Sequence, residues 1–327
     1  MSISKDQIKY YLAPMEGVTG YIFRNAHKDY FHNIDKYFTP FIAANQTGKL
    51  KSKEKRDILP ENNQGIYIVP QILTNNSQDF VRTAKDLKNY GYTEINLNLG
   101  CPAGTVVSKC KGSGFLAHKE RLNQFLEEIY TNTDDDIKIS IKTRLGKDDP
   151  SEFYDLMNLY NQYPIHELII HPRIQKDFYK NTPNMQVFKD ALKLSKNPVC
   201  YNGDLFTADD FMIFHTECPD VDRVMMGRGL IGNPGLIKSI KEDWSMDRKI
   251  LKQFHDRILK DYQEILSGDV NVLYKMKELW YYMIPMFKDS ENYAKKIRKC
   301  KHLSEYNDIV TELFSAKEIP ANAGFMP

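Results

Sequence analysis

Eight short apolar segments punctuate the first two-thirds of the chain, at residues 10–15, 37–42, 66–73, 94–99, 138–144, 167–173, 197–203 and 223–227. Each is rich in Ile, Leu, Val, Tyr or Phe, and each is followed by a stretch with room for a helix. Eight strand-then-helix units are the count that closes a (β/α)8 barrel, whereas a doubly wound sheet usually carries fewer strands. Local signals sharpen individual units. A helix is predicted over 19–31, another over 77–89 with Ser77 as N-cap and Gly91 closing it, and a third over 118–130 after a loop containing Gly112 and Gly114. The polar, Lys-rich stretch 45–64 reads as a long connection with one short helix.

After Asp243 the period changes. Leu251, Phe254, Ile258, Tyr262, Ile265 and Leu266 share one helical face, as do Tyr306, Ile309, Val310, Leu313 and Phe314. The aromatic-rich stretch 273–287 between them breaks at Pro285, and no strand candidate occurs there. The expected architecture is therefore α/β: a TIM barrel over 1–243 followed by a smaller all-helical domain over 244–327.

Composition narrows the setting. The 327 residues suit one barrel of roughly 250 residues with an appendage. No apolar run approaches the ~20 residues a bilayer demands, and residues 1–9 lack the apolar centre of a signal peptide, so neither a membrane nor export is expected. Five cysteines without CxxC or Cys/His ligand spacing suggest free thiols and no metal site, with the cytoplasm as the expected compartment. The net charge is only +2, yet residues 244–327 hold 14 Lys/Arg against 12 Asp/Glu and so contain the whole excess. Lys295, Lys296, Arg298, Lys299 and Lys301 form a basic run there. A solvated surface is the ordinary reading of such a run, and a polyanionic partner the functional one.

In a barrel, side chains at the C-terminal ends of the strands converge on one mouth. Those ends supply Pro14 and Met15, Gln71, Asn98 and Cys101, Lys142 and Arg144, His171 and Arg173, Asn202 and Asp204, and Gly227 and Arg228. The set is polar and cationic without a carboxylate cluster, which argues against Mg²⁺ chemistry and against a glycosidase pair. Taken singly, each residue is as well explained by surface charge or packing. Seven of eight strand ends carrying such groups is harder to explain that way. Asn202-Gly203-Asp204 and Gly227-Arg228-Gly229 follow the last two strands, where glycines let backbone N–H groups approach a phosphate, so a mononucleotide cofactor fits.

Together these motifs resemble a known family. Ala13-Pro14-Met15-Glu16-Gly17-Val18-Thr19 with Phe23-Arg24, Asn96-Leu97-Asn98-Leu99-Gly100-Cys101-Pro102, Gly112-Ser113-Gly114, Lys142-Thr143-Arg144, His171-Pro172-Arg173, Asn202-Gly203-Asp204 and Gly227-Arg228-Gly229 are similar to those of the dihydrouridine synthases. These FMN-dependent enzymes use NADPH to reduce uridine in RNA, usually tRNA, to 5,6-dihydrouridine. Met276-Lys277-Glu278 and the aromatics after it resemble the family's helical RNA-binding domain.

The resemblance implies roles. Cys101 would be the acid that protonates C5 of uracil, fitting a thiol whose ordinary pKa of about 8.5 keeps it protonated at neutral pH. Cys110, in the loop beyond that strand end, is the nearby alternative. Asn98 would offer an amide donor and acceptor to the base, with Arg144 and Tyr179 holding it or stabilising charge. For FMN the resemblance implicates Pro14, Met15, Gln71, Lys142, His171, Asn202, Gly203, Asp204, Gly227 and Arg228. NADPH would be the reductant, tRNA the substrate, and the enzyme a monomer. The family commonly has His-Gly/Ala-Arg-Thr where this chain has His171-Pro172-Arg173-Ile174, so Ile174 supplies no hydroxyl. The rival readings are an FMN reductase or dehydrogenase of a free pyrimidine, the same reaction on rRNA, and an RNA-binding protein using a disused barrel.

Overall fold

Ten strands build one parallel sheet in the computed structural model, which describes residues 3–326. They are β1 (Lys9–Leu12), β2 (Lys36–Phe38), β3 (Ile42–Ala43), β4 (Ile68–Val69), β5 (Gln71–Leu73), β6 (Glu94–Leu99), β7 (Lys138–Arg144), β8 (Leu168–His171), β9 (Val199–Tyr201) and β10 (Arg223–Met226). Their order is β3-β5-β6-β7-β8-β9-β10-β1-β2-β4.

Two expected strands are each cut in two. Pro40 lies between β2 and β3, and Pro70 between β4 and β5; a proline has no N–H to give the ladder. Thr39 bridges the gap: its N–H donates to Val69 O at 3.1 Å, and its hydroxyl accepts from Gln71 N at 3.1 Å. Because β2 pairs with β4 and β3 with β5, the sheet order begins and ends on halves of the same two segments. Counted by segment, eight strands follow one another in chain order, which is the strand order of a (β/α)8 barrel.

Strands β1, β8, β9 and β10 stop earlier than expected, whereas β5, β6 and β7 end where expected. β1 stops before Ala13-Pro14-Met15, and β9 stops before Asn202-Gly203. The helices follow the pattern more closely, at Tyr21–Phe31, Ser77–Asn89 and Lys119–Asn132. One cap differs: Asn76, not Ser77, accepts from the N–H of Asp79 at 2.8 Å, while Ser77 bonds Glu128. The cap must precede the first helical residue, and the asparagine is one position better placed to reach the third helical N–H. Gly112–Ala117, expected as loop, is a 3₁₀ turn, and 45–64 holds a second such turn, Pro60–Asn62, beside the helix Ser52–Ile58. Beyond residue 243 the described chain is helical, at Arg248–Ile265, Asp269–Met283, Glu291–Lys299 and Leu303–Ala316, with Pro285 in the 3₁₀ turn Ile284–Met286. Ile265, expected on a packed face, is exposed in the last turn of its helix.

The chain divides into two compact units, Met1–Asp35 with Asp204–Pro219 and Met226–Pro327, and Lys36–Gly203 with Asp220–Met225. In the first, Phe254 sets its ring edge-on against Phe23 and Phe31, at centroid distances of 5.6 and 5.4 Å. Tyr306 accepts the Trp280 indole N–H at 2.6 Å and donates to His255 Nε2 at 2.6 Å, so the buried polar atoms of that helical core are paired.

In the second unit the strand alternation has an unusual sense. Gln71, Asn96, Asn98 and Ser140 touch one another and so share the barrel's inner face. Thr143, out of phase with them, meets Tyr160 of the helix Glu152–Tyr160. On β6 and β7 the apolar residues face the helices and the polar ones line the interior. No helix of the described residues is long and apolar enough to cross a membrane.

Candidate active site at the strand ends

Strand register brings the first group of candidates side by side in the second unit. Gln71 lies opposite Asn96, Asn98 opposite Lys142, and Arg144 opposite His171. The Gln71 amide is shared: its Nε2 donates to Asn96 Oδ1 at 2.7 Å, and its Oε1 accepts from Asn98 Nδ2 at 2.6 Å. Asn96 donates in turn to Ser140 Oγ at 3.0 Å. A continuous chain of buried amides thus fixes the rotamer of Asn98.

Asn98 was expected to show both amide ends to a base. Its Oδ1 instead accepts the N–H groups of Gly100 at 3.0 Å and Cys101 at 2.9 Å, turning the chain at the end of β6. With Nδ2 already bonded to Gln71, one amide hydrogen is left to point elsewhere.

The carbonyls on either side of the thiol are held as firmly. Gly100 O accepts from Arg144 Nε at 2.9 Å, and Cys101 O accepts from the Ser113 N–H at 3.1 Å and hydroxyl at 2.9 Å. The Gly112-Ser113-Gly114 turn can come this close only without side chains at its glycines. A Cβ on Gly112, whose φ is +55°, would stand 2.7 Å from Cys101 O, and one on Gly114 would stand 2.8 Å from Val107 O. Cys101 and Cys110 are partly exposed, whereas Cys200, Cys218 and Cys300 are buried. Asn75 Nδ2 caps the carbonyls of Lys109 and Cys110, so Cys110 belongs to a separately anchored turn.

The Lys142 ammonium has no hydrogen-bond or ion-pair partner among the described residues. Loss of hydration, with the Arg144 charge adding to it, lowers its ammonium to about 8. Burial lowers the Arg144 guanidinium to about 10, leaving it charged at neutral pH. Arg144 Nη1 donates to Ile174 O at 2.9 Å and Nη2 to Phe178 O at 2.6 Å, and its Cζ lies 5.6 Å from the Tyr179 ring centroid.

Ile174, where a hydroxyl was missing, contributes through its backbone. Besides that carbonyl, its N–H donates to Asp177 Oδ2 at 3.0 Å. Arg173, a strand-end residue without an assigned role, donates from Nε to Lys180 O at 3.0 Å and from Nη1 to His171 Nε2 at 3.0 Å. A guanidinium only donates, so His171 Nε2 is its acceptor. Tyr179 is exposed, with its ring centroid 6.1 Å from that of His171. Asn202 donates from Nδ2 to Met225 O at 2.8 Å, and Gly203 leaves no room for a Cβ, which would fall 2.0 Å from the Tyr201 hydroxyl.

The remaining candidates lie in the other unit. Met15 N donates to Thr19 Oγ1 at 2.8 Å, and Met15 O accepts from Val18 N and Thr19 N, so Pro14 and Met15 form a tight turn around the Thr19 hydroxyl. Gly17, at φ +87°, sits against Glu278, and Lys275 Nζ donates to Gly17 O at 2.9 Å. Arg228, expected to face a phosphate, donates to Asp204 Oδ1 at 2.6 Å and lies over the rings of Phe206 and Phe325 at 5.0 and 5.7 Å. Gly227 faces Ala13, where a Cβ would come within 3.3 Å. Lys295, Lys296, Arg298, Lys299 and Lys301 are all exposed, and Lys296 pairs with Glu312 at 3.3 Å.

Asn96, Ser113 and Thr19 were not singled out from sequence as site residues. Asn96 shares the phase of Asn98, which is the one signal that could have found it. No group of three or more His, Cys, Asp or Glu side chains is placed to hold a metal ion among the described residues.

Parallel strands in (β/α)8 order with polar groups at their ends, among them a thiol in an anchored turn, have the architecture of a barrel enzyme. A variant of NCR from Zymomonas mobilis shares the fold, with a TM-score of 0.52 and 13% identity over 75% of this chain and 90% of that one. Dihydrouridine synthase (Dus) is the family that matches, over residues 11–322, and the chain belongs to it. Among relatives, tRNA-dihydrouridine synthase B of Pasteurella multocida is 26% identical over 77% of this chain and 75% of its own length. The tRNA-dihydrouridine(16) synthase of Neisseria meningitidis is 23% identical over 94% of this chain and 95% of its own. The family match does not favour the free-pyrimidine or RNA-chaperone readings.

Proposed function

We propose that this enzyme reduces the C5=C6 bond of uridine in tRNA to 5,6-dihydrouridine, with Cys101 as the proton donor. The anchored turn at the end of β6 carries the reading: the backbone groups flanking the thiol are bonded to Asn98, Arg144 and Ser113, which presents one partly exposed thiol in one place. tRNA as the RNA class rests on the relatives, and NADPH and the cytoplasm on the family resemblance.

The residues fit a flavin. Lys142 is a partly dehydrated cation without a counter-ion, His171 ends the adjacent strand β8, Gln71 is joined to Asn98 beside Lys142, and Gly227 keeps a side chain out of a crowded turn. Gln71, Lys142 and His171 would contact the isoalloxazine, and Pro14, Met15, Asn202, Gly203, Asp204, Gly227 and Arg228 the ribityl chain and phosphate. Bound FMN supplies the hydride delivered to C6 of the base, with NADPH as its reductant.

The protein's own groups manage charge and protons. As hydride adds at C6, negative charge develops towards O4, where the spare Asn98 amide hydrogen can donate. The Cys101 thiol gives its proton to C5, completing the addition of one hydride and one proton, and its thiolate takes a proton back from water. Tyr179 offers a ring against which a flipped base can stack. The exposed basic run from Lys295 to Lys301 would take RNA phosphates.

Cys101→Ala tests the reading. The variant should purify yellow and oxidise NADPH as the wild type does, while dihydrouridine in RNA from a deletion strain, measured by mass spectrometry after incubation, falls to background. Full product formation would overturn the assignment, and absence of flavin from carefully handled wild-type protein would overturn the reaction class.

A further inference from the structure

Arg144 bonds three carbonyls from two separate stretches of chain: Gly100 beside the thiol, and Ile174 and Phe178 in the loop that carries Tyr179. The residue is 1% exposed, so these bonds are shielded from competing water. We propose that Arg144 is a positioning residue that couples the Cys101 turn to the Tyr179 loop, setting the thiol and the aromatic ring in fixed relation. This deepens the reading of Cys101 as proton donor and rests on it.

The Tyr179 loop has backbone bonds of its own, Phe178 N–H to Gln175 O at 3.2 Å and Lys180 N–H to Asp177 O at 2.7 Å, and it contains two non-glycine residues in the left-handed region, Phe178 at φ +50° and Asn181 at φ +57°. Two guanidinium groups hold it. Arg173 takes the carbonyls of Lys180 and Asn181, and Arg144 takes those of Ile174 and Phe178. Arg173 thus serves the Tyr179 loop and His171, while Arg144 bonds carbonyls of both stretches.

The chemistry requires arginine. Its planar fork reaches three carbonyls in different directions, whereas a lysine ammonium is a single point that cannot span them. Stacking near the Tyr179 ring, at 5.6 Å, adds a contact to the side chain the loop is meant to place. The expectation that Arg144 holds the uracil base gives way to one in which it holds the two elements that do.

The test compares wild-type holoenzyme with Arg144→Lys and Arg144→Gln. Cys101 and Cys110 are both partly exposed, so iodoacetamide alkylation followed by peptide mass analysis reads Cys101 against an internal reference in the same molecule. Coupling predicts that both variants alkylate Cys101 several-fold faster with Cys110 unchanged. Amide hydrogen exchange should rise together in 98–103 and 174–181, and not in the helix Lys119–Asn132. The kcat should fall by on the order of tenfold to a hundredfold while KM for RNA moves about twofold or less.

Raised KM with wild-type alkylation and exchange would mean that Arg144 touches the substrate, and would overturn the proposal. Equal acceleration at Cys101, Cys110 and the reference helix would mean general loosening, and would overturn it too. If wild-type protein makes no dihydrouridine yet the alkylation contrast stands, the coupling survives and the proposed reaction fails.

Discussion

Lys142 shows how one side chain acquires a property that its type alone does not predict. Ordinary lysines stay charged beyond pH 10, but dehydration and the neighbouring Arg144 bring this one to about 8. Its charge is therefore present at neutral pH and lost as pH rises through about 8. Flavin affinity, measured by fluorescence titration of apoprotein, should weaken over that range, and Lys142→Arg should remove the pH dependence. An unchanged slope in that variant would sink the link between Lys142 and the flavin. Residue identity was legible here, since Asn98, Cys101, Lys142 and Arg144 all stand at strand ends. Residue duty was less so. The Asn98 oxygen is taken by two backbone N–H groups, and a sequence does not state which neighbours a side chain will bond.

Elements carry their own electrostatics. The helix Tyr21–Phe31 buries His27 between Phe23 and Phe31, with Nε2 donating to Pro234 O at 3.0 Å. Burial, opposed by that hydrogen bond, lowers the imidazole to about 4. The unfolded chain takes up this proton near pH 6.5 while the folded one does not, so stability present above pH 6.5 is lost as pH falls towards 4. This site can account for about 3 kcal/mol over that interval. Urea unfolding of His27→Gln at pH 7 and pH 4.5 should show a smaller acid loss than wild type; an equal loss would place the effect elsewhere. The helix itself was legible from its apolar spacing, whereas the strand breaks at Pro40 and Pro70 mark where local chemistry overruled an apolar run.

Across the barrel unit, charge is sorted by end. Lys36, Glu94, Glu167 and Arg223 sit at or beside the starts of β2, β6, β8 and β10, opposite in strand sense to the proposed site residues. Lys36 Nζ reaches Glu94 at 2.9 Å and Glu167 at 3.0 Å, and Arg223 reaches Glu167 at 2.8 Å. Both carboxylates are at most 2% exposed, so they depend on one another's cations. Glu94→Gln should cost about 1–3 kcal/mol, read as a lowered Tm, because it leaves Lys36 with Glu167 as its one remaining carboxylate in this network. Flavin content at low temperature should be unaffected. A Tm within a degree of wild type would show the network to be dispensable.

None of that network was predicted, although every member was visible at a strand start. The apolar runs and their eightfold repetition determined the barrel by themselves, because a strand's burial depends on its own composition and a helix's on its own period. Motif spacing likewise determined the family and placed Cys101 at a strand end. The tertiary structure alone decided which polar groups meet. Strand register set Asn98 beside Lys142 and Arg144 beside His171, and barrel closure brought Lys36 to Glu94 across 58 residues of chain. Hydrogen bonds and ion pairs act over about 3 Å, so they depend on distances that only the folded chain possesses. That is why the thiol was legible in the sequence and the bonds that hold it in place were not.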